Sequence, residues 1–143
     1  MPAVFQIVSR SSGKALRHDE GSFVDQFTQD AQNPAQMWVL TPQDTANDLL
    51  IHPFGSPELG IGVTQQPNDP RLFLNLQLAP DSQVWRISRV ANPPYFFLIE
   101  GNDDLLMDVP DNSHTDGVVV QVFHRTEHAN QQWTFLPVFR ELP

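Results

Sequence analysis

Cysteine is absent from all 143 residues. Its absence excludes disulfide staples, thiol nucleophiles and cysteine-bearing zinc sites, and a secreted chain of this size is more often cross-linked. Lysine is nearly absent too. Lys14 stands with seven scattered arginines against 17 acidic residues, giving a formal net charge of −9. That balance repels a phosphate backbone and offers no basic stripe, which argues against nucleic acid as a partner. No apolar run approaches the roughly 18 to 20 residues that cross a bilayer, so no membrane insertion is expected. The opening MPAVFQIVSRSSGK lacks a basic stretch followed by a long apolar one and a small-residue cleavage site. No signal peptide is therefore expected, and together with the missing cysteine this places the expected location in the cytoplasm.

Catalytic signatures are missing as well. Ser56 follows Gly55 outside any G-x-S-x-G frame, and neither a P-loop nor a dinucleotide-binding glycine motif occurs. His124 and His128 form an H-x-x-x-H pair, but in a predicted loop, where positions four apart do not share a face as they do on a helix. The segment from Asp111 to Gly117 lacks the alternating acids and closing glutamate of a calcium loop. Asp108 has acidic neighbours in Asp103, Asp104, Asp111 and Asp116, yet their spacing does not set two carboxylates on opposite sides of a glycosidic bond. The expectation is a non-enzymatic protein without cofactor or metal.

What the chain does contain is a repeat. All three tryptophans share one context: Gln36-Met37-Trp38, Gln83-Val84-Trp85 and Gln131-Gln132-Trp133, with glutamines 47 and 48 residues apart in a chain whose third is about 48. Each tripeptide follows a polar, turn-like stretch and precedes an apolar one. Between these markers the chain reads as short strands punctuated by Pro, Gly, Asn and Asp. The first third gives VFQIVS, KALRH, FVDQFT and QMWVL. The second gives DLLIHP, LGIGVT, LFLNLQ and VWRIS, and the last YFFLIE, LLMDVP, VVVQVFH and QWTFL. Four strands recur three times, at about residues 1–42, 43–90 and 91–143, within a length suited to one domain. A four-stranded unit this small cannot make its own core, so the three must bury one face against each other, as in a closed pseudo-threefold barrel.

The pattern resembles the ricin-B family of β-trefoil lectins, whose repeats each end in a Gln-x-Trp signature, and the resemblance covers the whole chain. The three tryptophans are expected in the shared core, because a large ring recurring once per unit is what such a core needs. The preceding glutamines would satisfy local backbone groups.

A sugar requires a carboxylate or amide for adjacent hydroxyls and an aromatic face for its C–H surface. The third repeat has the full set. Its LMDV, VQVF and NQQW segments look like the family's binding repeat. The resemblance gives Asp108 two neighbouring hydroxyls to accept from and lets Asn130 bond one of them from the other side. Phe123 becomes the stacking platform, Gln121 sits in or beside the pocket and fixes Asp108, and Gln131 holds the loop. It also implies galactose or N-acetylgalactosamine as the ligand.

The family often has tryptophan where Phe123 stands, and the smaller ring predicts weaker stacking. Arg17 and Gly62 replace the key aspartate in the other two repeats. In the first, Asp25 and Phe27 fall where Gln121 and Phe123 do, with Ala35 opposite Asn130. In the second, Asn75, Gln77 and Ser82 take the corresponding places. One galactose-type site is therefore expected, and a shallow single site would gain from presentation on a homodimer. The competing reading is a protein-binding trefoil, a protease inhibitor or scaffold, acting through proline-bearing loops at 65–70 or 91–94 and indifferent to Asp108.

Overall fold

A computed structural model describes residues 3–18, 23–43, 45–63, 69–76, 84–90 and 95–138. Twelve strands form at the twelve expected places. In the first third they are β1 (Val4–Ser9), β2 (Ala15–His18), β3 (Val24–Phe27) and β4 (Trp38–Pro42). β5 (Asp48–Pro53), β6 (Leu59–Val63), β7 (Leu72–Leu76) and β8 (Trp85–Arg89) follow. The last third supplies β9 (Phe97–Glu100), β10 (Leu105–Asp108), β11 (Gln121–His124) and β12 (Trp133–Pro137). The Asp48–Pro53 strand alternates strictly between half-buried and buried positions, the period that puts successive side chains on opposite faces.

Six strands close on themselves. β1 pairs with β4, β4 with β5, β5 with β8, β8 with β9, β9 with β12, and β12 returns to β1, every pair antiparallel. Closure removes the edges that an open sheet would expose. The other six strands form three hairpins, β2–β3, β6–β7 and β10–β11. Six barrel strands with three capping hairpins make a β-trefoil.

The pairing registers fix which residues are equivalent. Trp38, Trp85 and Trp133 stand opposite Phe5, Leu49 and Phe97. Each indole N–H donates to a hairpin carbonyl: Trp38 to Leu16 at 3.0 Å, Trp85 to Ile61 at 3.0 Å and Trp133 to Met107 at 3.2 Å. The core is accordingly built in threes: Ile7, Ile51 and Ile99; Leu16, Ile61 and Met107; Val24, Leu72 and Val120; and the tryptophans themselves. All twelve are buried, and each contributes roughly 1.5 to 3 kcal/mol of transfer free energy or more.

One expected strand is shorter than its sequence suggests. VVVQVFH reads as one run over 118–124, but β11 begins only at Gln121. The preceding valines instead tie the three hairpins together. Val120 donates to the Val24 carbonyl at 3.0 Å and accepts from the Leu72 amide at 2.9 Å, while the Gln26 amide donates to Val118 O at 3.0 Å. Their apolar side chains suit a buried crossing point as well as a strand, so composition does not separate the two.

Candidate functional site

Each described Gln-x-Trp glutamine ends a single 3-10 turn, Pro34–Gln36 or Ala129–Gln131, and is fully buried. Gln36 donates to Thr28 O at 2.8 Å and accepts from the Asp30 amide at 2.8 Å. Gln131 does the same for its own loop, donating to His124 O at 2.8 Å and accepting from the amides of Thr126 and Glu127 at 2.9 Å each. The loop-holding role expected of Gln131 is thus what its geometry provides. Gln83 lies outside the described residues.

Since the indoles mark Leu16, Ile61 and Met107 as equivalent, the residues one step further, Arg17, Gly62 and Asp108, are equivalent too. Asp108 is 3% exposed, at the end of β10, directly across from Gln121. Three amides converge on its carboxylate. Gln121 Nε2 reaches Oδ1 at 3.1 Å; Asn130 Nδ2 and Gln131 Nε2 reach Oδ2 at 3.2 and 2.9 Å. Asn130 also donates to the Val109 carbonyl at 3.1 Å. Burial pushes the Asp108 carboxyl above its ordinary range, opposed by the bonds from Gln131 and Gln121, the charge of His124 and the bond from Asn130. A carboxylate offers about four acceptor positions, so three amide donors leave one for a ligand.

Phe123 lies two residues beyond Gln121 on the same strand face and is 41% exposed, an unusual exposure for a ring of this size. All five expected site residues, Asp108, Gln121, Phe123, Asn130 and Gln131, therefore come together on β10, β11 and the turn before β12. The backbone around them is strained. Asp111, Asn112 and Glu127 have φ of 55°, 53° and 62°, left-handed values that non-glycine residues seldom adopt. Among the described residues only Asn47 and Asp104 share that property without being glycine, and strain of this kind concentrates at functional sites.

No second carboxylate faces Asp108 among the described side chains. Asp104 is bound to Arg125 at 2.9 Å, Asp116 to Lys14 at 2.9 Å, and Asp111 is exposed in its turn. The Asp103 side chain lies outside the description. Among the described residues no group of three His, Cys, Asp or Glu side chains could hold a metal ion.

The first repeat carries a different pair at the same place. Arg17, in the Asp108 position, binds Asp25, in the Gln121 position, through two bonds of 2.9 and 2.6 Å, and its guanidinium lies 4.1 Å from the Phe27 ring centre. The carboxylate has moved across the hairpin and is neutralised there, and the ring is covered. A separate cleft runs from Phe27 along the loop to Asn33 and Gln36.

In the second repeat the register corrects the sequence reading. Gly62 pairs with Phe73 and Gly60 with Asn75, so Phe73 takes the Gln121 position and Asn75 the Phe123 position. Asn75 and Gln77 had been assigned those two places. The slip is by two residues, and Gln77 and Ser82 lie outside the described residues. So do residues 65–68 and 91–94 of the two proline-bearing loops.

The amide cage was only half visible in the sequence. Gln121 as a support for Asp108 was foreseen, whereas direct donation by both Asn130 and Gln131 was not. Arginine stacking was missed altogether: Arg10 on Phe96, Arg71 on Phe23 and Arg89 on Tyr95, at 4.2 to 4.6 Å, join the Arg17–Phe27 pair.

No family profile and no curated protein matches the sequence. Solved structures do match. The designed threefold-symmetric protein ThreeFoil superposes with a TM-score of 0.79 at 21% identity, over 93% of this chain and 97% of that one. A ricin B-like lectin of Macrolepiota procera, solved with lactose, gives 0.76 at 19% identity, over 92% of this chain and 93% of that one. The C-half of an earthworm R-type lectin, in complex with GalNAc, gives 0.66 at 16% identity, over 95% and 99% of the two chains. The fold also recurs inside larger proteins. A mosquitocidal holotoxin gives 0.82 at 20% identity over 94% of this chain, but only 16% of its own length is covered. The chain is a β-trefoil, and its structural neighbours include ricin B-like lectins.

Proposed function

We propose that this protein is a non-enzymatic lectin that recognises galactose- or N-acetylgalactosamine-containing glycans through one site in its third repeat. The carrying observation is a buried carboxylate, Asp108, caged by three amides beside an exposed ring, Phe123. Asp108 accepts from two neighbouring hydroxyls once Gln121 and Asn130, both half-buried, swing aside to meet the same hydroxyls. Gln131, fully buried, keeps its bond and holds the carboxylate in place. Phe123 takes the apolar face of the pyranose. The Macrolepiota procera lectin with lactose and the earthworm lectin with GalNAc, both neighbours in fold, support the ligand class.

The repeats at about 1–42, 43–90 and 91–143 form one domain in this reading, and two copies associate to offset a weak single site. Light scattering that returns a monomer mass at working concentrations would discard the dimer.

The primary test is glycan-array binding by the wild type and Asp108→Ala, with circular dichroism verifying that both fold. Selective binding to galactosides, lost in the variant, is expected. Equal binding by both proteins would move the site elsewhere, and no binding by either would turn the reading to a protein partner.

A further inference from the structure

We propose that His124 is a further positioning residue of the third-repeat site: its imidazole stacks on Phe123 and sets the tilt of that ring towards the bound sugar. The inference rests on the galactoside reading above. Neighbouring residues of an ideal strand point to opposite faces, so their rings do not ordinarily meet. Here the centres of Phe123 and His124 are 4.1 Å apart with planes inclined by 37°. The reason is local. β11 ends at His124, where buried Gln131 holds the carbonyl at 2.8 Å and turns the chain out of the strand.

An exposed phenyl ring on a strand end has two torsions free to vary, and a ligand that stacks on it must first fix them. The imidazole fixes them in advance. Comparison with the first repeat shows why the choice of partner matters. Phe27 is also covered by a cationic or polar neighbour, but that neighbour is Arg17, which reaches over from the position equivalent to Asp108. Thr28, the counterpart of His124, bonds Asp116 instead. In the third repeat the ring's partner comes from the next residue in the chain, and Asp108 is bonded by amides, not by the group that covers the ring. His124 is exposed and belongs to no core layer, which separates its effect on binding from an effect on folding.

The test is calorimetric titration of methyl β-galactoside into the wild type, His124→Ala and His124→Phe at pH 7.5, with Asp108→Asn as the control for the site itself. A stacked aromatic pair sets the scale, so His124→Ala is expected to weaken binding about two- to tenfold. His124→Phe, which keeps a ring, is expected to restore it to within about twofold of wild type. Unchanged affinity in His124→Ala, or equal loss in His124→Phe, would overturn the positioning role. Undiminished binding by Asp108→Asn would instead overturn the underlying site, and the role of His124 with it.

Discussion

Replacing Gln131 by leucine separates the structural work of the Gln-x-Trp glutamine from its work at the site. The wild-type amide serves four partners: the Thr126 and Glu127 amides, the His124 carbonyl and the Asp108 carboxylate. A buried polar group left without a partner costs about 1 to 3 kcal/mol. Thr126, Glu127 and His124 border solvent, where water recovers part of that loss, whereas Asp108 does not. The net cost is therefore about 2 to 4 kcal/mol. With an unfolding entropy near 2 cal/mol/K per residue, this is a fall in Tm on the order of 7 to 13 °C. Gln36→Leu is the matched control. Its amide holds the equivalent first-repeat loop and also accepts from Gln6 at 3.1 Å, so a similar loss of stability is expected. Urea unfolding gives the two stabilities, and galactoside titration well below both midpoints gives the affinities. Gln131→Leu is expected to lose binding and Gln36→Leu to keep it. A cost under about 1 kcal/mol for either variant, or equal affinities in the two, would refute the reasoning.

Three further outcomes are expected. Galactoside binding falls as pH drops through a midpoint above the ordinary aspartate value of 3.8, because burial raises the Asp108 carboxyl and protonation removes its acceptor. The folded protein takes up that proton before the unfolded chain does, so this group's own contribution to stability rises as pH falls through the same window, and Asp108→Asn should remove that contribution from the pH dependence of unfolding. His18, packed edge-on against Trp38 at 4.8 Å, has its pKa lowered by burial against the bonds to Met37 and Pro34. The unfolded chain therefore protonates first, stability declines as pH falls below 6.5, and His18→Phe should flatten that slope in thermal melts. Finally, the triple variant Arg17→Asp, Asp25→Gln, Ala35→Asn places the third-repeat side chains at equivalent positions beside Phe27. Calorimetric stoichiometry is expected to rise from one galactoside to two, and an unchanged value would show that the cage alone does not make the site.

The fold was legible because its determinants repeat. Three tryptophans at near-equal spacing each serve one core layer and one hairpin carbonyl, and short apolar strands bounded by turn residues recur between them, although among the described residues only Asp48–Pro53 alternates strictly. The third-repeat cluster was legible for the same reason, as Asp108, Phe123 and Asn130 hold their spacing to Trp133. The second repeat was misread because strand patterning has a period of two. Sliding Leu72–Leu76 by two residues leaves every side chain on its own face, so hydrophobicity cannot tell Asn75 from its neighbour in register. Loop 109–120 was opaque for another reason. Its partners are distant in sequence: Gln26 donates to the carbonyls of Ser113 and Thr115, and Thr28 to Asp116.

The pairing of β1 with β12 has a consequence for the order of events during synthesis. Ser9 pairs with Trp133, so the trefoil's first strand, though it also meets β2 and β4, gains its longest pairing only from the last. Until the final strand clears the ribosome, the growing chain carries an open edge and an unfilled apolar interior. Contacts so far apart in sequence favour slow, late and cooperative folding. A ribosome stalled before Trp133 would thus release no partial trefoil, only a chain suited to chaperones or proteases.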